Sequence, residues 1–432
     1  MTNSAPETVR IGLLGCGHVG GALVRILSSE AEAIRARTGL RLAIAGIAVR
    51  NLSKERSTPL DPGLLTHDAA ALATSSQVDV VVEVIGGIEP ARSLILAALK
   101  SGKPVVTANK ELIANVGTEL AQVAAANGVD LLFEASVAGG IPLIRPLRES
   151  LAGERIQRVM GIVNGTTNYI LTRMTEEGAS YAEALTEAQT LGYAERDPTA
   201  DVEGFDASAK AAILATVAFG REVVSGDVYR EGISAITPAD ITVADRLGYV
   251  VKLLAIAERT GDDAVAVRVH PAMVPKGHPL AAVRGSFNAV FVEGEAVGEL
   301  MLYGRGAGGM PTASAVLGDL IDAAHNLRAG GTTRAVLVQR GTIAPIDELC
   351  TQYYLNIDVL DRPGVLAAVA QVFGEHRVSI RSMEQVGLGE EARLIFITHR
   401  AQESDVQATV AGLHQLDVVE RVGSLLRVVG GD

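Results

Sequence analysis

The sequence predicts an α/β protein that begins with a doubly wound parallel sheet and ends with a smaller βαββαβ unit. Short apolar runs alternate with helical stretches over the first 138 residues, and a glycine-rich turn follows the first run. Strand and helix patterns alternate again over the last 80 residues. A chain of 432 residues is too long for one hydrophobic core, so we expect several domains.

The first segment reads as a series of βα units. Its predicted strands cover residues 9–14, 41–49, 79–85, 104–107 and 130–133. Its predicted helices cover residues 23–37, 90–100 and 111–126. Parallel strands need crossover helices, and both faces of such a sheet are then covered. The pattern predicts a Rossmann-type doubly wound sheet.

The middle of the chain, from about residue 140 to residue 330, reads as α+β. Strands are predicted at 156–163, 265–273 and 289–292. Helices are predicted at 167–177, 181–191, 207–219, 245–259 and 312–326. Residues 328–333 (RAGGTT) have the composition of a linker, which continues loosely to about residue 348.

The last segment has the order of a ferredoxin-like unit. Strands are predicted at 353–359, 378–386, 392–399 and 418–429, with helices at 364–373 and 404–413.

Composition narrows the classes of function. A net charge of −12 argues against nucleic acid as a partner, because phosphate binding needs basic patches. The two cysteines, Cys16 and Cys350, are too few for a disulfide framework. We find no signal-peptide pattern and no apolar stretch of about 20 residues, so a cytoplasmic location without a membrane span is expected.

The turn after the first strand fits a dinucleotide-binding pattern. Residues 15–20 read GCGHVG and place Gly15, Gly17 and Gly20 in the order G-x-G-x-x-G, with His18 and Val19 between them. The first two glycines allow a tight turn and close approach to a pyrophosphate, and the third allows helix–strand packing. The alternative is a purely structural turn in a Rossmann-like scaffold.

The residues after the second strand favour NADP over NAD. An acidic residue there would bind the free ribose 2′-hydroxyl of NAD, whereas this chain has Arg50 and Lys54. Basic side chains suit the 2′-phosphate of NADP. The alternative is that these charges only face water, with NAD as the cofactor.

An acid-rich stretch over residues 188–210 carries the strongest chemical signal. Its carboxylates repel one another unless they face water or bind a cation, such as the ammonium group of a substrate. A lysine at its end is suited to proton transfer if it is buried. The acids are Glu195, Asp197, Asp201, Glu203 and Asp206, and the lysine is Lys210. The alternative is that Asp206 and Lys210 form an ordinary i,i+4 helix pair.

The stretch over residues 188–210 resembles the signature of the homoserine dehydrogenase family. Three more segments are similar to the same family: 105–111 (VVTANKE), 161–171 (GIVNGTTNYIL) and 304–312 (GRGAGGMPT). The resemblance implies NAD(P)-dependent interconversion of aspartate 4-semialdehyde and homoserine, on the route to threonine, isoleucine and methionine.

The resemblance also implies roles for individual residues. Lys210 would be the proton donor, and Lys110 would flank the reacting carbonyl in contact with both substrate and cofactor. Glu195 and Asp206 would bind the substrate, with Asp201 supporting them. Gly192 and Gly308 would lie on the cofactor side. The polar residues Asn164, Thr166, Thr167 and Asn168 shape the floor of the site or merely cap a helix.

The family carries a monovalent cation site near the sequence FEASVAGGIPL. Carried over, the ligands of Na⁺ or K⁺ would be Glu134 and the backbone carbonyls of Val137, Gly139 and Ile141. Oxygen ligands suit a hard cation. The alternative is a structural loop.

The last segment looks like an ACT domain, with Asp361, Arg362, Pro363 and Gly364 at its first turn. Feedback inhibition by threonine is expected, and the alternative is a dimerisation module without ligand. The expected domains are residues 1–138 (NADP-binding), 139–330 (substrate-binding, catalytic and dimerisation), 331–350 (linker) and 351–432 (ACT). We expect a homodimer or homotetramer. The competing functions are a catalytically inactive NADP- and amino-acid-sensing regulator, or a dehydrogenase for another amino-acid aldehyde.

Overall fold

The computed structural model describes residues 8–56, 58–333, 338–387 and 391–430. These residues form two compact units, and each unit is assembled from three separate stretches of chain. The first unit draws on Met1–Val159, Ala209–Asp227 and Asn288–Gly341, and the second on Met160–Ser208, Val228–Phe287 and Thr342–Asp432. None of the helices in these described ranges is both long and apolar enough to cross a membrane.

The N-terminal elements alternate strand and helix, as predicted. They are β1 (Thr8–Leu14), α1 (His18–Ser29), α2 (Ala31–Thr38), β2 (Arg41–Ala48), β3 (Leu65–Thr66), α3 (Ala69–Thr74), β4 (Val80–Glu83), α4 (Ala91–Lys100), β5 (Val105–Thr107), α5 (Lys110–Ala126) and β6 (Leu131–Leu132). The six strands form one sheet in the order β3-β2-β1-β4-β5-β6, and all its pairs are parallel. This is the Rossmann order, whose switch point lies between β1 and β4.

The middle elements contain one wrong prediction. They are β7 (Ile156–Ile162), α6 (Gly165–Glu177), α7 (Tyr181–Thr190), α8 (Thr199–Val202), α9 (Phe205–Phe219), β8 (Tyr229–Arg230), α10 (Pro238–Arg246), β9 (Tyr249–Arg259), β10 (Ala264–Pro275), β11 (Phe287–Gly294), β12 (Gly298–Arg305) and α11 (Gly309–Ala329). The helix predicted over residues 245–259 is instead the end of α10 followed by strand β9.

The error has a physical cause. Residues 251–257 are all buried and Lys252 is the one polar residue among them, so the strand reads as a nearly continuous apolar run rather than an alternating one. Such a run does not separate a buried strand from a buried helix. Helix α10 itself begins with a capping box, in which Thr237 and Asp240 satisfy each other's backbone N–H groups.

The C-terminal elements follow the predicted order. They are β13 (Thr342–Ile343), β14 (Cys350–Leu360), α12 (Val365–Glu375), β15 (Ile380–Gly387), β16 (Glu391–Thr398), β17 (Ala401–Gln402), α13 (Glu403–Leu413) and β18 (Val419–Val428). Residues 334–337 of the expected linker lie outside the described residues.

The second unit is organised around one continuous sheet. Within this sheet the strands β9-β10-β18-β14-β16-β15 follow one another, so the ferredoxin-like part extends the sheet that contains β9 and β10. Strands β10 and β18 are parallel, with Ala272 opposite Arg427 and Met273 opposite Val428. The core of the C-terminal part lies between this sheet and helices α12 and α13.

The core of the first unit includes a helix that is distant in sequence. Ala313, Val316 and Leu320 of α11 are fully buried among side chains of α1 and of the parallel sheet. Burying a valine or leucine side chain contributes about 1.5–3 kcal/mol. Helix α11 is therefore part of the packing that supports the N-terminal sheet.

Candidate active site

The glycine turn between β1 and α1 is shaped by close backbone contacts. Gly15 has a φ of +99°, which favours glycine, and a methyl group there would lie 2.9 Å from the carbonyl oxygen of Val84. A methyl group at Gly20 would lie 2.4 Å from the Gly15 carbonyl oxygen. Gly17, by contrast, has no atom within 4 Å of its missing side chain. The turn therefore has one packed side and one open side, at the switch point where open α/β sheets bind ligands.

A second helix N-terminus lies beside this turn. His18 and Val19 begin α1, and a methyl group at Gly309 would lie 3.0 Å from the His18 carbonyl oxygen. Gly308 precedes α11 as its N-cap residue, with a φ of +117°. The structure thus brings the predicted Gly308 close to the predicted glycine turn. Helix N-termini offer unpaired backbone N–H groups to anions.

The basic residues after β2 differ in their surroundings, since one is bound to the loop backbone and two are exposed. The Arg56 guanidinium donates to the carbonyl oxygens of Asn51 and Lys54, at 2.5 and 2.8 Å, and closes the loop. Arg50 and Lys54 have exposed side chains.

Burial raises the pKa of the Cys16 thiol in the neighbouring turn, although the charge of Arg56 acts against this shift. Its thiol form is therefore favoured over the reactive thiolate.

Lys110 lies where the sheet presents its carboxyl ends. It is the first residue of α5, directly after β5, and Asn109 caps the helix by accepting the N–H of Leu112. The buried carboxylate of Glu83 orders the neighbouring loops. It accepts the N–H groups of Ile85 and Gly86 and the hydroxyl of Thr107, at 2.6 to 3.1 Å.

The acid-rich stretch is organised by Asn164. Its side-chain amide donates to Asp201 at 2.7 Å and to Asp206 at 2.9 Å. Its oxygen meanwhile accepts the Thr167 N–H and caps α6. Asn164 therefore caps a helix, as one of the two alternatives predicts, and it also holds two predicted substrate residues together.

The other predicted residues of this stretch have different surroundings. Glu195 is exposed, and its carboxylate makes no hydrogen bond to any described residue, while Gly192 follows α7 in a left-handed turn. Asp197 accepts the hydroxyl and the N–H of Thr199, the first residue of α8, and both contacts lower the pKa of its carboxyl. Asp197 thus orders the turn that leads into α8.

Lys210 lies on α9, one turn after Asp206, and is 8% exposed. A lysine this buried is uncommon unless its charge is matched by partners or used in chemistry. Of the predicted proton-transfer groups, Lys210 is buried and Lys110 is exposed.

The predicted cation loop has a buried carboxylate at its start. Glu134 accepts the backbone N–H groups of Leu143, Ile144 and Arg145, at 2.5 to 2.8 Å. Gly139 is left-handed, and a methyl group there would lie 2.4 Å from the Gly306 carbonyl oxygen. Val137 and Ile141 are buried on either side. The described residues contain no cluster of three or more His, Cys, Asp or Glu side chains that could hold a metal ion.

Sequence reasoning missed a buried ionic network in the second unit. Arg427 is 2% exposed and forms two hydrogen bonds with Glu403, at 2.6 and 2.7 Å. Its Nη1 donates to Glu231 at 2.9 Å, and its Nη2, which also donates to Glu403, lies 3.4 Å from the Tyr229 hydroxyl. Burial and the neighbouring Glu231 raise the pKa of Tyr229 to about 12. The partners are up to 198 residues apart, so no local pattern could have indicated them.

Comparison with known proteins gives a consistent result over the whole chain. The homoserine dehydrogenase family matches residues 142–321, its NAD-binding domain matches residues 15–134, and the ACT domain family matches residues 353–418. The N-terminal sheet is therefore a nicotinamide-dinucleotide-binding domain, and the C-terminal part is an ACT domain.

Individual relatives are similar over nearly their full length. Homoserine dehydrogenase of Mycobacterium tuberculosis is 52% identical over 436 residues, covering 98% of each chain. The enzyme of Corynebacterium glutamicum is also 52% identical, covering 98% of this chain and 96% of its own. The crystal structure of a homoserine dehydrogenase from Thiobacillus denitrificans is 42% identical, with a TM-score of 0.93 over 98% of this chain and 99% of its own. Because sequence, fold and domain order all agree, the chain belongs to the homoserine dehydrogenase family.

Proposed function

We propose that this homoserine dehydrogenase reduces aspartate 4-semialdehyde with Lys210 as the proton donor and with NADPH as the preferred reductant. Homoserine dehydrogenase activity accords with the relatives, and none of them supports an inactive sensor or a dehydrogenase for another aldehyde. The observation that carries the proposal is the pairing of Asp201 and Asp206 by Asn164, one helical turn before the buried Lys210.

The proposed mechanism needs a cation at the substrate oxygen. The nicotinamide cofactor supplies the hydride when it is bound. The aldehyde carbonyl then becomes an alkoxide, whose charge must be stabilised and whose oxygen must be protonated. Lys210 stabilises the alkoxide as an ammonium, gives it a proton, and regains that proton from solvent. Lys110 flanks the same carbonyl from the cofactor side.

The substrate is itself an amino acid, so its ammonium group needs an anion. Asp206 serves this purpose through a charge-assisted hydrogen bond, and Asp201 supports it through Asn164. Glu195 is exposed, and its carboxylate serves with Asp206 as an anion for the same ammonium group. Gly192 and Gly308 contribute to the side of the active site that binds the cofactor.

Substitution of Lys210 tests this role. We expect Lys210→Ala to lower kcat by about 100- to 10,000-fold, since that is the range for a lost general acid. Lys100→Ala, at the exposed end of α4, is the matched control and should retain full turnover. Both variants should keep the circular dichroism spectrum of the parent, and small primary amines should partly restore Lys210→Ala. A Lys210→Ala enzyme within tenfold of the parent kcat would reject the role.

The preference for NADP is supported by Arg50 and Lys54, which are exposed beyond the carboxyl end of β2. We expect Arg50→Asp to lower the ratio of kcat/KM for NADPH over NADH by about tenfold or more, because a charge-assisted contact to the 2′-phosphate is lost. Arg41→Asp is the matched control, because Arg41 begins the same strand at its other end. An unchanged ratio in Arg50→Asp would remove this assignment.

We also propose a monovalent cation site, regulation by threonine and an oligomeric state. Na⁺ or K⁺ would be held by the carbonyls of Val137, Gly139 and Ile141, with Glu134 contributing its carboxylate. Threonine would regulate the enzyme through the ACT domain, in a homodimer or homotetramer in the cytoplasm. The proposed domain boundaries follow residues 138, 330 and 350.

A further inference from the structure

A cavity in the second unit, lined by both polar and apolar groups, has no role in the proposed mechanism. Its volume is about 610 Å³. One wall is formed by Glu203 and Phe205 of the acid-rich stretch, and another by the loop 230–236. A third wall is strand β18 of the ACT domain, at residues 423–426. The cavity thus joins the stretch that contains Asp201 and Asp206 to the regulatory domain.

Two opposite charges line this cavity without an ion-pair partner among the described residues. The Arg230 guanidinium lies over the Phe205 ring, 3.6 Å from its centroid. The Glu203 carboxylate accepts the Ser234 hydroxyl at 2.8 Å and meets no described cation. The buried charges around Arg427 in the same unit are, by contrast, paired with one another. Arg230 and Glu203 are therefore available to a ligand that carries both signs of charge.

The wall that holds Glu203 is packed tightly against the loop that holds Arg230. The Ile233 N–H donates to the Val202 carbonyl at 2.8 Å. A methyl group at Gly232 would lie 2.5 Å from the same carbonyl oxygen and 2.6 Å from a Glu203 carboxylate oxygen. A change in one wall must consequently move the other, because no free space separates them.

The ACT wall is fixed to the same region by buried hydrogen bonds. The Ser424 hydroxyl donates to Asp240 at 2.7 Å, and Asn356 donates to the other Asp240 oxygen at 2.6 Å. Arg427, next along β18, donates to Glu231 in the loop 230–236. The strand that lines the cavity is therefore held in place by the residues that flank it.

We propose that this cavity is the amino-acid effector site, with Arg230 binding the α-carboxylate and Glu203 binding the ammonium group. The inference rests on the proposed regulation by threonine and gives it a location away from the turn at Gly364. A zwitterion matches the two charges and leaves the net charge of the cavity unchanged. The apolar faces of Phe205 and Leu425 are suited to a short side chain.

Binding of a ligand in the cavity would affect Asp201 and Asp206 through the backbone that connects them to Glu203. Glu203 lies two residues after Asp201 and three before Asp206, and Gly204 between them has a φ of +78°. A ligand drawn to Glu203 acts directly on the segment that positions both carboxylates. The cavity and the substrate site are thus two distinct sites with a short covalent connection, as coupling requires.

The test measures threonine binding to the full chain by calorimetry and threonine inhibition of NADPH oxidation. We expect Arg230→Gln and Glu203→Gln each to weaken binding and inhibition by about tenfold or more, with uninhibited kcat unchanged. L-Threoninol lacks the carboxylate, so Arg230→Gln should bind it as well as the parent does. 3-Hydroxybutyrate lacks the ammonium group, so Glu203→Gln should bind it as well as the parent does. Arg362→Gln, at the first turn of the ACT domain, is the matched control.

The outcomes separate this inference from the proposed function. If the parent binds threonine and the two cavity variants bind it equally well, the cavity assignment is overturned while regulation stands. A loss of binding in Arg362→Gln alone would place the effector at the ACT turn and also overturn the assignment. If the parent neither binds threonine nor is inhibited by it, both the effector site and threonine regulation are rejected. In each case the Lys210 experiment still decides the catalytic role.

Discussion

The two units of the chain present their polar groups in different ways. In the first unit, the candidate cofactor site is made of backbone, since Gly15, Gly17 and Gly20 leave a turn with one open side. In the second unit, charged and amide side chains are buried and joined to one another, as in the network of Arg427, Glu403 and Glu231. Backbone sites depend on shape, whereas side-chain networks depend on every partner remaining in place. The two units should therefore fail differently when they are altered.

The largest expected effect on cofactor use concerns the shape of the glycine turn. Gly20→Ala forces a methyl group to within 2.4 Å of the Gly15 carbonyl oxygen, so the turn must move. We expect kcat/KM for NADPH to fall by about 100-fold, since a misplacement of about 1 Å can cost that factor in rate. Steady-state kinetics measures this ratio, and fluorescence titration measures the affinity for NADPH.

Gly17→Ala sharpens the same point, because its added methyl group meets no protein atom within 4 Å. It should weaken NADPH binding while the melting temperature of the free protein stays unchanged. Gly20→Ala should lower both quantities. Equal melting temperatures for Gly20→Ala and the parent would contradict the view that the turn is rigid.

The next effect concerns the buried network of the second unit. Arg427→Met leaves Glu403 and Glu231 without their cation, and we expect the free energy of unfolding to fall by about 3–5 kcal/mol. Arg421→Met is the matched control on the same strand, where a 55% exposed side chain pairs with Asp358. That exposed pair should contribute less than about 1 kcal/mol. Urea unfolding of both variants measures the difference, and similar losses would show that burial does not decide the strength of these pairs.

The smallest effect is a difference in pH dependence between the units. Burial lowers the pKa of Lys252 in the second unit to about 8, although the ammonium donates to Asn168 and to the Val283 carbonyl. Between pH 8 and the unfolded pKa of 10.5, the unfolded chain binds more protons at this site, so stability rises with pH. Lys252→Met should remove that rise.

Asp319 in the first unit should have the opposite effect. Burial raises the pKa of its carboxyl to about 7, and the nearby charge of Glu134 acts in the same direction. The N–H of Glu134 and the guanidinium of Arg145, 2.7 and 3.2 Å away, act against this shift. Between pH 3.8 and 7 the folded chain binds more protons, so stability falls as pH rises. Asp319→Asn should flatten this fall. Slopes of the same sign at both sites, measured by chemical unfolding across pH, would contradict the assignment.

Local patterns predicted most of the fold. The parallel sheet and the C-terminal βαββαβ unit were predicted correctly, because strand, turn and helix signals there are short-range. Strand β9 was predicted as a helix, since its burial on both faces removed the alternation. The packing of α11 on the N-terminal sheet could not be predicted, because a contact between segments about 300 residues apart leaves no local sequence signal.

The candidate site was likewise predicted only where its features are local in sequence. Asn164 was singled out as part of a polar cluster, but its hydrogen bonds to Asp201 and Asp206 required the fold to bring them together. Glu83 stood within a buried run and was overlooked, although an acid in such a run needs partners to be tolerated. The roles of Lys110 and Lys210 remain predictions.

The junction of β10 and β18 determines how regulation can be studied. Arg427 and Val428 pair with Ala272 and Met273, so the ACT domain contributes a strand to the sheet that contains β9 and β10. A chain shortened before residue 350 would leave this part of β10 as an open edge, which invites aggregation. It would also leave Glu231 without Arg427. Loss of activity in a truncated enzyme would therefore report a damaged fold, and point substitutions are the sound way to separate regulation from assembly.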